Sequence, residues 1–103
     1  MENKTPEIYF SDAYLNVAQA IQEGSSERIR QRVAGLDLGH VGKQGMTLLI
    51  YAMLCRQVAS VRELLSLGAD PFQIVDGLGS PLDVAVRAKD PVYLSAMLES
   101  GVS

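Results

Sequence analysis

Two side chains in this sequence, His40 and Cys55, belong to types that catalyse reactions as bases or nucleophiles. A general base needs a nucleophile or carboxylate partner held nearby, and no residue at local spacing supplies one for His40. A cysteine nucleophile needs a base or a helix N-terminus to form its thiolate. Cys55 is expected near the end of a helix, where the helix dipole opposes a thiolate. We therefore interpret His40 as a surface loop residue and Cys55 as a packed or half-exposed thiol.

The glycines at positions 77 and 79 are a second candidate for chemistry, because glycine-rich loops bind phosphate. The lysine and the other glycines of such a loop are missing, and a preceding strand is poorly supported. A hairpin turn that leads into a helix cap at Ser80 is the preferred interpretation. No pair of His, Cys or acidic residues has the spacing of metal ligands. The sequence therefore predicts no catalytic residue, no metal and no cofactor, and it favours a protein that is not an enzyme.

The composition limits the partners of this 103-residue chain, which is 48% hydrophobic and 20% charged and has a net charge of -3. This length predicts one domain. The chain lacks the basic stripe that nucleic-acid binding requires, so no nucleic acid is expected as a partner. No apolar run approaches the roughly 20 residues that span a bilayer, so no membrane insertion is expected. One charged cluster is interpreted as a solvated outer helix face, with a docking patch as the alternative: Glu27, Arg28, Arg30 and Arg32.

The compartment stays open at this stage. The first seven residues are polar and contain no apolar stretch of the kind found in signal peptides. The chain as written is expected to be cytoplasmic, and it would be periplasmic if an export signal had been removed. A single cysteine says nothing firm about the redox environment.

An internal repeat organises the sequence. Two segments align without a gap at an offset of 33, which matches Thr47 with Ser80, Leu49 with Leu82, Ala52 with Ala85, Val61 with Leu94, Leu64 with Met97, Leu65 with Leu98, and Gly68 with Gly101. An upstream segment joins them at an offset of 32, and its loop returns to 33 where Asp37 aligns with Asp70. This first repeat is degenerate, as expected of a terminal repeat that covers one side of a stack.

Local signals predict short helices in each repeat. The helix caps are Ser25, Thr47, Ser80 and Asp90, with Pro81 and Pro91 in first-turn positions. Apolar stripes at helical spacing are Tyr14, Val17, Ala18 and Ile21, and then Val61, Leu64 and Leu65. Gly35, Gly68 and Gly101 each follow a helical run. Because such short helices are marginal alone, they are expected to stack, with polar hairpin loops at residues 37–44 and 70–79.

The motifs of these segments resemble the ankyrin repeat. They are Gly45-Met46-Thr47-Leu48-Leu49, then Ala52, then Val61-Arg62-Glu63-Leu64-Leu65-Ser66-Leu67-Gly68-Ala69-Asp70, and Ser80-Pro81-Leu82-Asp83-Val84-Ala85 in the next repeat. Leu48 and Ile50 replace the usual Pro and His, and Phe72 replaces the loop Asn. The resemblance implies an all-α ankyrin-repeat solenoid of about three helix-turn-helix repeats with hairpin loops. Residues 1–10 would be an N-terminal extension, and 11–103 one domain with a degenerate repeat (11–41) and two further repeats (42–74 and 75–103).

The function that this resemblance implies is non-enzymatic binding of a partner protein through the concave face and the hairpin loops. The family's variable positions fall on Val41, Lys43, Gln44, Met46, Leu54, Cys55, Ile74, Asp76 and Arg87. Four of these positions are apolar and are expected to be exposed: Val41, Met46, Leu54 and Ile74. The final helix carries few charges, so the C-terminal repeat is expected to contact a second copy or a further repeat.

An alternative function rests on a narrower resemblance. Residues 9–12, 20–24 and 42–47 resemble segments of small bacterial ankyrin-type immunity proteins. Those proteins bind and neutralise type VI secretion lipase effectors, generally in the periplasm. The alternative partner is therefore a secreted lipase effector, and an enzyme is the third and least favoured hypothesis.

Overall fold

The computed structural model describes residues 6–75, 77, 79–89 and 91–99, apart from the side chain of Leu98. Its α-helices are α1 (Asp12–Glu23), α2 (Ser26–Arg32), α3 (Leu48–Leu54), α4 (Val58–Ser66), α5 (Pro81–Ala88) and α6 (Pro91–Glu99). Single 3-10 turns cover Pro6–Ile8 and Lys43–Gly45. Within these residues, β pairing is limited to one antiparallel bridge between Val75 and Gly79. The predicted all-helical class is confirmed.

The helices pack as consecutive pairs, α1 with α2, α3 with α4, and α5 with α6. The first helices of the pairs also contact one another in the order α1, α3, α5, and the second helices do so in the order α2, α4, α6. We call these sets the inner layer and the outer layer. The core lies between them and includes the buried Ile21, Ile29, Tyr51 and Leu64. Like helices therefore stack on like, as the offset in the sequence requires.

Three helices begin at the predicted caps. The hydroxyl groups of Ser25, Thr47 and Ser80 accept hydrogen bonds from the main-chain N–H groups three residues later, at 3.3, 3.2 and 3.1 Å. The Asp83 carboxylate accepts the Ser80 N–H at 3.0 Å, which completes a capping box ahead of Pro81. The predicted cap at Asp90 and the predicted closing glycine at Gly101 lie outside the described residues.

The two long loops share two equivalent hydrogen bonds among their described residues. Asp37 accepts the Gly39 N–H at 2.8 Å, and Asp70, its counterpart in the next repeat, accepts the Phe72 N–H at 2.9 Å. Each loop then closes with an equivalent main-chain bond, Gly42 N–H to Met46 O at 2.6 Å and Val75 N–H to Gly79 O at 3.0 Å. The alignment made on residue types therefore holds for individual hydrogen bonds.

Equivalent hydrogen bonds also join successive helix pairs. The Ser60 hydroxyl on α4 donates to Ile21 O on α1 at 3.0 Å, and the Tyr93 hydroxyl on α6 donates to Met53 O on α3 at 3.1 Å. Ser60 and Tyr93 align with each other in the sequence repeat, and both are buried. Two chemically different side chains thus connect the outer layer to the inner layer at the same point of the stack.

A residue in the left-handed region follows each inner helix within two positions. These residues are Gly24 (φ 75°), Arg56 (φ 58°) and Lys89 (φ 56°). Their spacing follows the two offsets of the sequence repeat. Glycine adopts this conformation without the steric cost that Arg and Lys incur. The turn between the helices of a pair is therefore the same in all three pairs, although only the first carries glycine.

Residues 6–10 belong to the folded body, which corrects the expectation of an N-terminal extension for this part of the chain. Phe10 is buried, and the Tyr9 ring packs edge-on against Tyr51 with centroids 5.9 Å apart. The Lys43 N–H donates to Tyr9 O at 2.8 Å. A Cβ atom on Gly42 would lie 2.4 Å from the same oxygen. Burial of Phe10 and partial burial of Tyr9 against the core favour this arrangement, and Gly42 leaves room for it.

Candidate partner-binding surface

The exposed apolar side chains of the described residues are concentrated in the loops and the inner layer. Ile8, Val41, Phe72 and Ile74 lie in the loops and the segment before α1, and Leu54 lies on α3; Val86 and Val92 lie on the last helix pair. The second helices of the first two pairs, α2 and α4, carry none of these residues. An apolar surface that faces solvent is typical of a binding site.

In the outer layer, α2 and α4 have the opposite character. Arg28 bonds to Glu23 at 2.6 Å, Arg30 lies 3.8 Å from Glu63, and Arg62 pairs with Glu99. The latter two pairs connect α2 to α4 and α4 to α6. In the charged cluster predicted as a solvated face, Glu27, Arg28 and Arg30 are exposed, and both of these arginines form ion pairs. Arg32 is half-buried and donates to Asn16 O at 2.8 Å. Exposed pairs of this kind contribute little stability, so their main effect is to keep this layer polar.

Three of the four predicted apolar anchors are exposed. Val41, Leu54 and Ile74 are 44%, 40% and 77% exposed. The expected exposure of Met46 is wrong, because its side chain is only 4% exposed and belongs to the core. Met46 comes directly before the Thr47 cap, where α3 packs into the body of the protein. A charge placed at this position would destabilise the fold, so Met46 cannot serve as a surface anchor.

The predicted polar contacts that the structure describes are exposed. Lys43 and Gln44 are exposed in the 3-10 turn before α3, and Arg87 is exposed at the end of α5. Arg87 donates from Nε to Asp83 O at 3.4 Å. Cys55 is half-buried at the end of α3, as expected. Asp76 lies outside the described residues.

The two residues first considered for catalysis have structural neighbours. The His40 ring stacks on Tyr14 with centroids 4.0 Å apart, and the Tyr14 hydroxyl accepts the Asp37 N–H at 3.1 Å. These contacts hold the first long loop against α1. Burial, followed by the neighbouring Cys55, raises the pKa of Tyr51. This keeps the phenol protonated, so its most evident role is packing.

A shallow cavity of about 310 Å³ lies beside the second long loop, lined by Gly77, Gly79, Asp83, Val86 and Arg87. Hydrogen bonds from the Ser80 backbone and side chain, with a smaller contribution from Arg87, lower the pKa of Asp83. The carboxylate in this cavity is therefore charged at neutral pH, and it caps α5.

The described residues contain no group of three or more His, Cys, Asp or Glu side chains placed to hold a metal ion. Among the helices described here, none is long and apolar enough to cross a membrane.

Sequence reasoning missed two exposed apolar residues, Ile8 and Val86. Ile8 was placed in an extension, so its position beside the loops was not considered. Val86 aligns with Met53, which is buried beneath α6. No described helix pair follows α5 and α6 to cover Val86 in the same way. The alignment with Met53 alone predicts that Val86 is buried. Val86 is exposed because no described helix pair packs against that side of α5.

Two known proteins are similar to this chain. It is 38% identical over 88 residues to Protein PhlB of Serratia liquefaciens, which covers 84% of this chain and 38% of that protein. It is 31% identical over 68 residues to a fowlpox virus (strain NVSL) protein named "Putative ankyrin repeat protein FPV022", and the match covers 66% of this chain and 12% of that protein. The chain thus spans well under two thirds of either relative. No family model matches it. The second similarity supports an ankyrin-like helical repeat.

Proposed function

We propose that this chain is a non-enzymatic protein-binding module made of three ankyrin-like repeats, at residues 11–41, 42–74 and 75–103. The repeated caps, loop hydrogen bonds and left-handed turns support this assignment, together with the similarity to FPV022. The proposal assigns no catalytic role to His40 or Cys55. A hydrolase activity screen of the purified chain that found turnover, lost on Cys55→Ala or His40→Ala, would contradict it.

The observation that carries the proposal is the difference between the two sides of the stack. Val41, Ile74 and Leu54 expose apolar surface on the loops and the inner layer, whereas the outer layer pairs its charges. Binding energy in protein interfaces is concentrated in a few apolar or aromatic anchors surrounded by polar contacts. Lys43, Gln44 and Arg87 are placed to form such a polar rim, with Asp76 as a further predicted member.

Site-specific photo-crosslinking tests which side binds. A photoreactive amino acid placed at Leu54 or Ile74 should join the chain to one partner protein in a lysate of its native cells. The same probe at Glu27 or Arg30 on α2 serves as the control, because these residues are exposed on the outer layer. Crosslinks from α2 alone would mean that the partner uses the outer layer, and the proposed surface would be wrong.

The narrower proposal is that the partner is a type VI secretion lipase effector, which the chain neutralises as an immunity protein. In its support, two segments that carry this resemblance pack together, since the Lys43 N–H donates to Tyr9 O and Gly42 lies against Phe10. The test is co-production with a lipase encoded beside this gene, with both proteins directed to the periplasm. Growth should be rescued by the native chain and not by the Ile74→Asp variant. Equal rescue by both would remove Ile74 from the inhibitory contact.

Self-association through the C-terminal repeat is also a proposal. The exposed Val92 on α6 and Val86 on α5 support it. Sedimentation of the native chain and of Val92→Asp over a range of concentrations tests it, and a monomer throughout would contradict it.

A further inference from the structure

We infer that the row formed by Ile8, Val41 and Ile74 binds a basic amphipathic α-helix of the partner, with apolar residues spaced seven apart. This inference rests on the proposed function and specifies the chemistry of the partner. The three side chains are exposed and lie on consecutive segments along the stack. We call these three residues the loop row.

Hydrogen bonds connect the segments that carry the loop row. Tyr9 O, one residue after Ile8, accepts the Lys43 N–H at 2.8 Å, close to Val41. The Gln73 side chain, directly before Ile74, donates to Gly39 O at 2.6 Å, two residues from Val41. Because the contacts run from the segment before α1 to the second long loop, Val41 lies between Ile8 and Ile74.

The spacing of the row favours a helix over a strand. Val41 and Ile74 occupy equivalent positions of successive helix pairs, and packed helices lie about 8–10 Å apart. Residues seven apart on one face of an α-helix are about 10.5 Å apart. Residues on one face of a β-strand are only about 7 Å apart. The distance between apolar side chains seven apart on a helix therefore matches the distance between the loops better than the spacing along a strand does.

The charged residues near the loop row in the sequence indicate the charge of the segment that it binds. Glu7 precedes Ile8, and Asp37 and Asp70 each lie four residues before an apolar member of the row. All three are exposed, and none forms an ion pair with a described residue. Lys43 is the cation nearest to Val41 in the sequence. The surplus of carboxylates complements lysine or arginine residues on the flanks of the bound helix.

Fluorescence anisotropy with a labelled peptide tests the inference. The probe is a helical peptide of about three turns or more, with leucine at every seventh position and lysines on both flanks. The native chain should bind it, and should bind a glutamate-flanked copy at least about tenfold more weakly at low salt. Val41→Ser and Ile74→Ser should each weaken binding by about fivefold or more, as expected for apolar anchors. Ala59→Ser, at an exposed position of α4 in the outer layer, is the control and should leave binding unchanged.

Three results would overturn the inference. If the lysine-flanked and glutamate-flanked peptides bind equally well, the row does not select a basic partner. If a lysine-flanked peptide interrupted by proline binds as well as the helical one, the partner segment need not be a helix. Concentration-dependent dimerisation that is lost on Ile74→Ser, without peptide binding, would assign the row to a second copy of this chain. The proposed function is tested separately from the loop row. If the probe at Leu54 crosslinks to a partner and neither Val41→Ser nor Ile74→Ser weakens that crosslink, the chain is still a binding module and only the loop row is rejected.

Discussion

At the scale of single residues, two of the three turns between paired helices carry a residue that is less suited than glycine to the backbone conformation there. Gly24, Arg56 and Lys89 adopt the same left-handed conformation, and an L-residue with a Cβ atom adopts it at a cost of about 1–2 kcal/mol. The sequence of the first pair suits this turn, whereas the sequences of the other two tolerate it.

We therefore expect Arg56→Gly to raise the free energy of unfolding by about 0.5–1 kcal/mol, because the relief of strain exceeds the entropy that glycine loses. The reciprocal change, Gly24→Ala, should lower it by about 1–2 kcal/mol, and its Cβ would also lie 2.7 Å from Gln57 Oε1. Urea unfolding measures both. Arg56→Ala is the control, since it removes the side chain and keeps the Cβ; equal stabilities of Arg56→Ala and Arg56→Gly would contradict the argument.

A second prediction for a single residue concerns pH. Bonds from Ser80 lower the pKa of Asp83, so the folded protein holds this carboxylate ionised more strongly than the unfolded chain does. Its contribution to stability is therefore present at neutral pH and is lost as the pH falls from about 4 through the lowered pKa. Asp83→Asn keeps an oxygen that can accept the Ser80 N–H but does not titrate. Melting temperatures at pH 7 and pH 3 should differ less for this variant than for the native chain, and an equal difference would reject the linkage.

At the scale of the helices, successive pairs are joined by one buried hydroxyl each. Removing the Tyr93 hydroxyl with Tyr93→Phe, or the Ser60 hydroxyl with Ser60→Ala, should cost about 0.5–1.5 kcal/mol, the usual net value of such a bond. Ser66→Ala is the matched control, because the exposed Ser66 hydroxyl donates to Glu63 O within the same helix and joins no second helix pair. Thermal unfolding followed by circular dichroism measures the three variants. A loss for Ser66→Ala as large as for Ser60→Ala would mean that the bonds between pairs have no special role.

At the scale of the whole molecule, the middle helix pair decides whether the stack is cooperative. Leu65 on α4 is buried, and α4 contacts α2, α3 and α6. Leu65→Ala should cost about 2–5 kcal/mol. Because each pair is stabilised mainly by its neighbours, this loss in the centre should unfold the described stack as one unit. A calorimetric scan should show a single transition at a lower temperature. Leu54→Ala, at an exposed site on α3, is the control; an unchanged transition for Leu65→Ala would remove Leu65 from the core.

The features that sequence reasoning predicted correctly depend on residues close together in the chain. The caps at Ser25, Thr47 and Ser80 require only a hydroxyl and an amide three residues later. The stripes of α1 and α4 follow from helical periodicity, and the repeat multiplies each observation. The sequence therefore determined the helical class, the starts of α2, α3 and α5 and the buried stripes of α1 and α4, because short-range geometry makes these properties local.

Contacts between distant segments decided the rest. Met46 is buried because α3 packs into the body of the protein, and Tyr9 and Phe10 are held there by Gly42 and Lys43. Val86 is exposed although its counterpart Met53 is covered by the following pair. Burial at such positions depends on which elements surround a residue, and identical local patterns have different surroundings in the middle pair and in the last pair that the structure describes. For this reason the sequence located the repeated caps and loop turns, and only the tertiary structure separated exposed apolar residues from buried ones.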